Sequence, residues 1–186
     1  MECSVTTVIR AESIEKWLQL WGSLLSVKGC LDISNIQPMD FTGCMLFYAD
    51  KHIAGYILYR EYGGRMVYID QLCTSATYTK RGFAAHMVAR LMKMHAGKEF
   101  TAFAVNDGSR RFFSALKFES LDNNVAAQMA IMEENDLFVN FRASCEQESC
   151  KSAVATSVPR DCVIARGGRS VKPANMPRRR QKRPPA

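Results

Sequence analysis

An apolar run, Met66–Thr74, passes through a short polar stretch into an amphipathic segment from Gly82 to about His95, and a second apolar run follows at Phe100–Val105. The middle segment places Met87, Val88, Leu91, Met92 and His95 on one helical face and Arg90 and Lys93 on the other, and Gly97 is placed to end it. A strand, a helix and a strand in that order predict a right-handed crossover between two parallel strands. In such a unit ligands bind outside the carboxyl ends of the strands. The rest of the chain must therefore build on a sheet that is parallel at this point.

The flanking patterns extend that sheet. Val5–Arg10 reads as a strand, and Ile14, Trp17, Leu18, Trp21, Leu24 and Leu25 recur at helical spacing, which predicts a helix over about residues 12–26. The next fifteen residues fit no single element. Phe41–Tyr48 and His52–Tyr59 read as a hairpin about Ala49-Asp50-Lys51, and Tyr62-Gly63-Gly64-Arg65 turns the chain into Met66–Thr74. After Phe100–Val105, a short helix is predicted over Asp107–Leu116, then two strands at Ala126–Met132 and Leu137–Arg142. The order gives a three-layer α/β arrangement, a mixed sheet with flanking helices.

Charge divides the chain in two. Residues 1–143 hold 15 Lys/Arg and 15 Asp/Glu, whereas residues 144–186 hold 10 Lys/Arg and 3 Asp/Glu, so the tail carries the whole net charge of +7. The neutral first part fits one globular domain, and the Ser-, Arg- and Pro-rich remainder reads as a disordered basic C-terminal tail. No run of about 18 apolar residues suggests a membrane span. Met1-Glu2-Cys3-Ser4 is acidic and leads into a strand rather than a signal-peptide core. Seven cysteines spread over the chain suit reduced thiols in an intracellular protein, and none has the close pairing and His partners of a zinc site, so no metal is expected.

The polar stretch Ser75–Arg81 and the helix start at Gly82 have the character of a phosphate cradle. The first amides of a helix lack intrahelical partners and carry the positive end of its dipole, Gly82, Ala84 and Ala85 allow close approach, and Lys80 and Arg81 add charge of the right sign. Thr79-Lys80-Arg81-Gly82-Phe83-Ala84 resembles the acyl-CoA-binding signature of the GNAT superfamily of N-acetyltransferases, Gln/Arg-x-x-Gly-x-Gly/Ala, with Thr79 departing at the first position. Asn106 to Phe118 is similar to the later motif of that family, Asn-x-x-Ala-x-x-Phe-Tyr-x-x-x-Gly-Phe, matching at Asn106, Phe112 and Phe118 and carrying Phe113 where the family has tyrosine. Arg81 to Met87 looks most like the histone and lysine acetyltransferase branch.

The resemblance implies a GNAT-like fold and an acetyl-CoA-dependent N-acetyltransferase acting on a primary amine, on a protein lysine or a small amine, by direct attack in a ternary complex. It implies that the backbone of Leu72, Cys73 and Thr74 binds the pantetheine arm and that the amides of Lys80, Arg81, Gly82, Phe83 and Ala84 take the pyrophosphate. An attacking lysine, with a free pKa of about 10.4, must first lose a proton. Asp70 is the candidate base: it is expected to face the same side as Tyr68 and Leu72, close to where lysine acetyltransferases of the family carry a glutamate. With Phe113 unable to donate, Tyr78, Tyr68 or solvent is left to protonate the leaving thiolate. Asn106 is suited either to the CoA arm or to capping its helix. Arg110 and Arg111 are suited either to phosphate and ribose or to a solvated face.

Other residues read more plainly. His86 and His95 are expected at the surface or core edge and His52 in a turn, and the ten methionines read as core filler. Arg178–Arg183 is a basic cluster between prolines, and Arg166-Gly167-Gly168-Arg169 lies upstream, so residues 166–183 suit nucleic acid and the cluster suits nuclear import, with a cytoplasmic location otherwise. The rival to an enzyme is a catalytically inactive module of the same fold that acts through this tail on nucleic acid or a protein partner.

Overall fold

The computed structural model describes residues 2–10, 14–24, 40–135, 137–144 and 163–164. In chain order they form β1 (Glu2–Ile9), α1 (Ile14–Leu24), β2 (Gly43–Ala49), β3 (His52–Tyr62), β4 (Met66–Thr74), α2 (Phe83–Met94), β5 (Glu99–Ala102), α3 (Asp107–Ala115), β6 (Glu119–Ser120), α4 (Val125–Asn135), β7 (Phe141–Ser144) and β8 (Val163–Ile164). The strands make one sheet in the order β6-β7-β5-β4-β3-β2-β1-β8. It is mixed: β4–β5 and β1–β8 run parallel and every other pair antiparallel.

Alternation along the strands sends side chains to two faces, each covered by helices. On one face Phe83, Met87, Val88 and Leu91 of α2 and Phe113 of α3 pack on Met45, Phe47, Ile57, Val67, Ile69, Phe100 and Phe141. On the other, Trp17, Leu20, Trp21 and Leu24 of α1 cover Cys44, Leu46, Tyr56 and Leu58 with Phe41. Beside them, Ala127, Ile131 and Met132 of α4 lie against Met66, Tyr68, Leu121, Leu137 and Val139. The β2–β3 turn places both Asp50 (φ 47°) and Lys51 (φ 69°) in the left-handed region, the twist that closes a two-residue hairpin.

Several expectations need correction. Ala126–Met132 is helical: its alanines and unbranched side chains favour a helix, and the Asn124 side chain accepts from the Ala127 amide at its start (3.2 Å). The last expected strand, Leu137–Arg142, pairs only from Phe141 and runs on to Ser144, and the strand predicted at Phe100–Val105 ends its pairing with β4 and β7 at Ala102. Residues 163–164, placed by charge in the tail, pair with Glu2 and Cys3. The nuclear-import and nucleic-acid segments lie outside the described residues. The expectation of reduced cysteines fails at Cys3 and Cys73, each of which is disulfide-bonded, while Cys44 is a buried free thiol whose pKa burial drives far up.

Candidate active site

The site begins where β4 and β5 part. Their parallel pairing runs from Met66↔Glu99 to Ile69↔Ala102 and stops, while β4 continues for five residues to Thr74. Among the described residues, the β4–β5 ladder therefore does not extend over Asp70 to Thr74. That end of β4 lies at the carboxyl ends of two parallel strands, where ligands bind in such sheets.

A bulge marks the same point. In the β3–β4 ladder Leu58 pairs with Gln71 and Tyr59 with Ile69, so Asp70 is the extra residue on β4. The insertion resets the alternation. Asp70 shares a face with Tyr68 as expected, but Leu72 packs with the α2 cluster on the opposite face, while Cys73 packs with the α1 cluster. Gly55, opposite Thr74, is required beneath this edge, since a Cβ there would stand 2.5 Å from the Cys73 carbonyl oxygen and 3.3 Å from the Thr74 Cα.

Asp70 is held by Arg60, Nη2 to Oδ2 2.6 Å, and the Arg60 guanidinium lies 5.2 Å over the Phe41 ring. Burial pushes the Asp70 pKa above its ordinary value, while the charge and hydrogen bond of Arg60 pull it down and Asp40 adds to the rise. Tyr68, two residues back, is pushed to about 12 by burial and then by the Asp70 charge, so its hydroxyl stays protonated, and it donates to the Phe138 carbonyl at 3.1 Å. Tyr56 donates to the Gln71 side chain at 3.4 Å on the α1 side.

Beyond Thr74 the chain makes a single 3-10 turn over Ala76–Tyr78, fixed by the buried Ser75, whose amide donates to the Ala54 carbonyl (2.9 Å) and whose carbonyl accepts from Tyr78 (2.8 Å). The Thr79 hydroxyl donates to the Ala76 carbonyl at 3.1 Å, so this departure from the family signature stabilises the turn. Lys80 (φ 61°) and Gly82 (φ 88°) are both left-handed, and Gly82 caps α2 with no side-chain hydrogen bond. Such interleaved conformations turn successive amides toward one concavity, the form of an anion-binding nest at a helix start. A non-glycine residue in the left-handed region costs about 1 kcal/mol or more, and such strain concentrates at ligand clamps. Arg81 lies 5.7 Å over the Tyr78 ring, which stands edge-on to Phe83 at 5.6 Å, so Tyr78 belongs to the loop's scaffold. Phe83 is buried, whereas Thr79, Lys80, Arg81 and Gly82 are exposed and Ala84 half-buried.

The second motif is placed differently. Asn106 caps α3: its Oδ1 accepts from the Ser109 amide (2.9 Å) and its own amide donates to the Ser109 hydroxyl (3.1 Å). Phe113 is buried in the core against Phe112, Phe118 and Phe141. Arg110 is committed to an ion pair with Asp122. His86 is fully in the core, edge-on to Phe47, and His95 stands at the core edge near Glu61.

Sequence reading missed Arg60 and Asn140. Arg60 follows Tyr56 and Leu58 at the spacing of one strand face, and Asn140 is a lone amide within the apolar run Leu137–Phe141; both patterns are visible in the chain. No cluster of three or more His, Cys, Asp or Glu suited to a metal occurs among the described residues. No helix among them is long and apolar enough to cross a membrane.

The family model of the Acetyltransferase (GNAT) family matches residues 12–118, spanning the parting strands, the loop and the second motif. The chain belongs to the GNAT family. It is a GNAT-type acetyltransferase. Among solved structures this GNAT chain is similar to Arabidopsis thaliana Naa50 in complex with the bisubstrate analogue CoA-Ac-MVNAL, with 21% identity, 63% of this chain and 85% of that one covered, and a TM-score of 0.49. It is also similar to Escherichia coli ElaA (14% identity, 64% and 88% covered, TM-score 0.49). A GNAT-family acetyltransferase of Streptococcus pneumoniae TIGR4 is a third such structure (14% identity, 65% and 90% covered, TM-score 0.46). No curated protein matches the chain.

Proposed function

We propose that acetyl-CoA lies across the parting of β4 and β5 and that a primary amine, on a protein lysine or a small molecule, attacks it directly. The observation that carries this reading is the stretch of β4 beyond its ladder with β5, Asp70–Thr74, which leads within a few residues to the left-handed loop at Lys80 and Gly82. The backbone of Leu72, Cys73 and Thr74 pairs with the pantetheine amides, and the amides of Lys80 to Ala84 receive the pyrophosphate, with Lys80 and Arg81 exposed beside them. Neither role depends on the side chain at Thr79.

Asp70 acts as the base. It takes a proton from the acceptor ammonium, and the freed nitrogen pair bonds to the thioester carbonyl carbon. The carbon–sulfur bond then breaks with its electrons on sulfur, and the new amide nitrogen releases its second proton to solvent. Burial raises the Asp70 pKa toward that of its task, and the ion pair to Arg60 fixes its orientation. The CoA thiolate, a good leaving group near neutral pH, takes a proton from solvent or from Tyr78, the half-buried hydroxyl nearest the loop; Tyr68 is committed to Phe138. Asn106 braces the start of α3 beside the cleft.

Calorimetric titration of acetyl-CoA into the full chain tests the cofactor site. Gly82→Glu adds a carboxylate where an anion is to bind and forces a side chain into the left-handed region, so it is expected to abolish binding. Equal affinity of the two proteins would sink the phosphate-loop assignment.

A further inference from the structure

We propose that Phe103 and Phe138 form an apolar wall opposite Asp70 that selects acceptor amines carried on an unbranched apolar stem, a lysine side chain or an alkylamine, over polyamines and hydroxylated amines. The inference rests on the acetyl-CoA site and the role of Asp70 proposed above. Register places the first ring. The parallel pairs from Met66↔Glu99 to Ile69↔Ala102 advance one residue at a time on each strand, so Phe103 follows at the level of Asp70. Phe100, Ala102 and Ala104 pack with the α2 cluster, and alternation leaves Phe103 to the opposite face, that of Tyr68. Asp70 is drawn to the same face by its ion pair with Arg60, whose ladder partner is Tyr68. Carboxyl group and ring therefore stand on one face of the sheet, on the two sides of the point where β4 and β5 part.

Phe138 completes the wall. Its ring centroid lies 6.1 Å from that of Phe103, and its carbonyl accepts from the Tyr68 hydroxyl, which ties it to the strand residue two before Asp70. Phe103 is 43% and Phe138 68% exposed, whereas Phe100, Phe113, Phe118 and Phe141 nearby are all buried. Rings that the core could have absorbed thus remain at the surface at the one place where an acceptor must pass, as expected of a contact for apolar ligand carbons. The β3–β4 side of the same face is polar, with Arg60 on Asp70 and the Tyr56 hydroxyl on Gln71. An amine seated there has its nitrogen at a carboxylate and its carbons against two rings. A second ammonium on the stem would lose water against the rings and would meet the like charge of Arg60, and a hydroxyl would lose its hydrogen bonds to solvent.

Acetyl transfer by the full chain to n-propylamine, n-butylamine and n-pentylamine, amines of nearly equal basicity, reads the stem directly. The expected result is a kcat/KM that rises roughly fourfold with each methylene, the worth of one buried CH2. 1,4-Diaminobutane and 4-amino-1-butanol should fall about tenfold or more below n-butylamine. With Phe103→Ala and Phe138→Ala combined, the rise should shrink to less than about twofold per methylene. Both side chains are exposed, so the core is left intact, and a general loss of stability would lower all three amines alike without changing the slope. Leu18→Ala, an equally exposed truncation on α1, should keep the wild-type slope. A capped Gly-Lys-Gly peptide used better than n-pentylamine would assign the stem to a protein lysine, and one used worse would assign it to a small amine; either supports the wall. A flat wild-type series, a slope kept by the double variant, 1,4-diaminobutane used as well as n-butylamine, or transfer to none of these acceptors by a chain that binds acetyl-CoA would overturn it. A chain that leaves acetyl-CoA unbound would instead overturn the cofactor site.

Discussion

Two opposed influences meet at the Asp70 carboxyl: burial disfavours its charge, and Arg60 at 2.6 Å favours it. Replacing Arg60 with methionine keeps an unbranched stem against Phe41 and removes both the charge and the hydrogen bond that lower the Asp70 pKa. The folded-state pKa must then rise further. Because a base works only when deprotonated, the acid limb of the kcat/KM profile for acetyl transfer is expected to move to higher pH in Arg60→Met, with activity recovering on the alkaline side. A limb that stays in place would remove Asp70 from the role of base. The same scale explains why the second motif is only partly functional in appearance. Asn106 is spent on its helix cap and Phe113 on the core, so the chemistry proposed above draws on β4 and the loop that follows it.

Among the elements, β4 does the most, and its shape depends on β3. Gly55 lies under the end of β4, where a methyl group would overlap the Cys73 carbonyl oxygen and press on the Met87 Cε at 2.9 Å. The backbone oxygen cannot rotate away, so Gly55→Ala should force the two strands apart at a cost of about 1–3 kcal/mol. For a chain of this length that corresponds to a fall in melting temperature of roughly 2–4 °C for each kcal/mol, measurable by calorimetry or circular dichroism. The displaced Cys73 carbonyl belongs to the edge proposed for pantetheine, so KM for acetyl-CoA should rise as well. An unchanged melt would mean that β3 and β4 part at Gly55 without cost. Element α4 makes a different point. Its sequence is rich in helix formers and carries an Asn cap, yet its apolar content reads equally as a strand next to the run at Leu137, and only its packing on Met66 and Tyr68 selects the helix.

On the scale of the whole molecule, the net charge lies entirely in residues 144–186. With 15 charges of each sign in residues 1–143 and +7 in residues 144–186, contacts to nucleic-acid phosphates are expected from the tail alone. The full chain should therefore bind single-stranded nucleic acid with an affinity that falls with salt, the log–log slope being about −0.7 per phosphate contacted, and residues 1–143 should not. Binding retained by the shorter chain would place the contact on the domain instead. What the sequence by itself determined follows from local periodicity and spacing: the β4–α2–β5 crossover, the bounds of Met66–Thr74, the loop leading into the helix start at Gly82, and the flanking helices α1, α2 and α3. Tertiary structure alone decided the bulge that turns Leu72 away from Asp70 and Tyr68, the ion pair that brings Arg60 to Asp70, the burial of Phe113, and the side-chain bonds of Asn140 to Ala104. Each of these depends on which residues from distant segments meet across the sheet, and hydrophobic periodicity carries no information about that pairing.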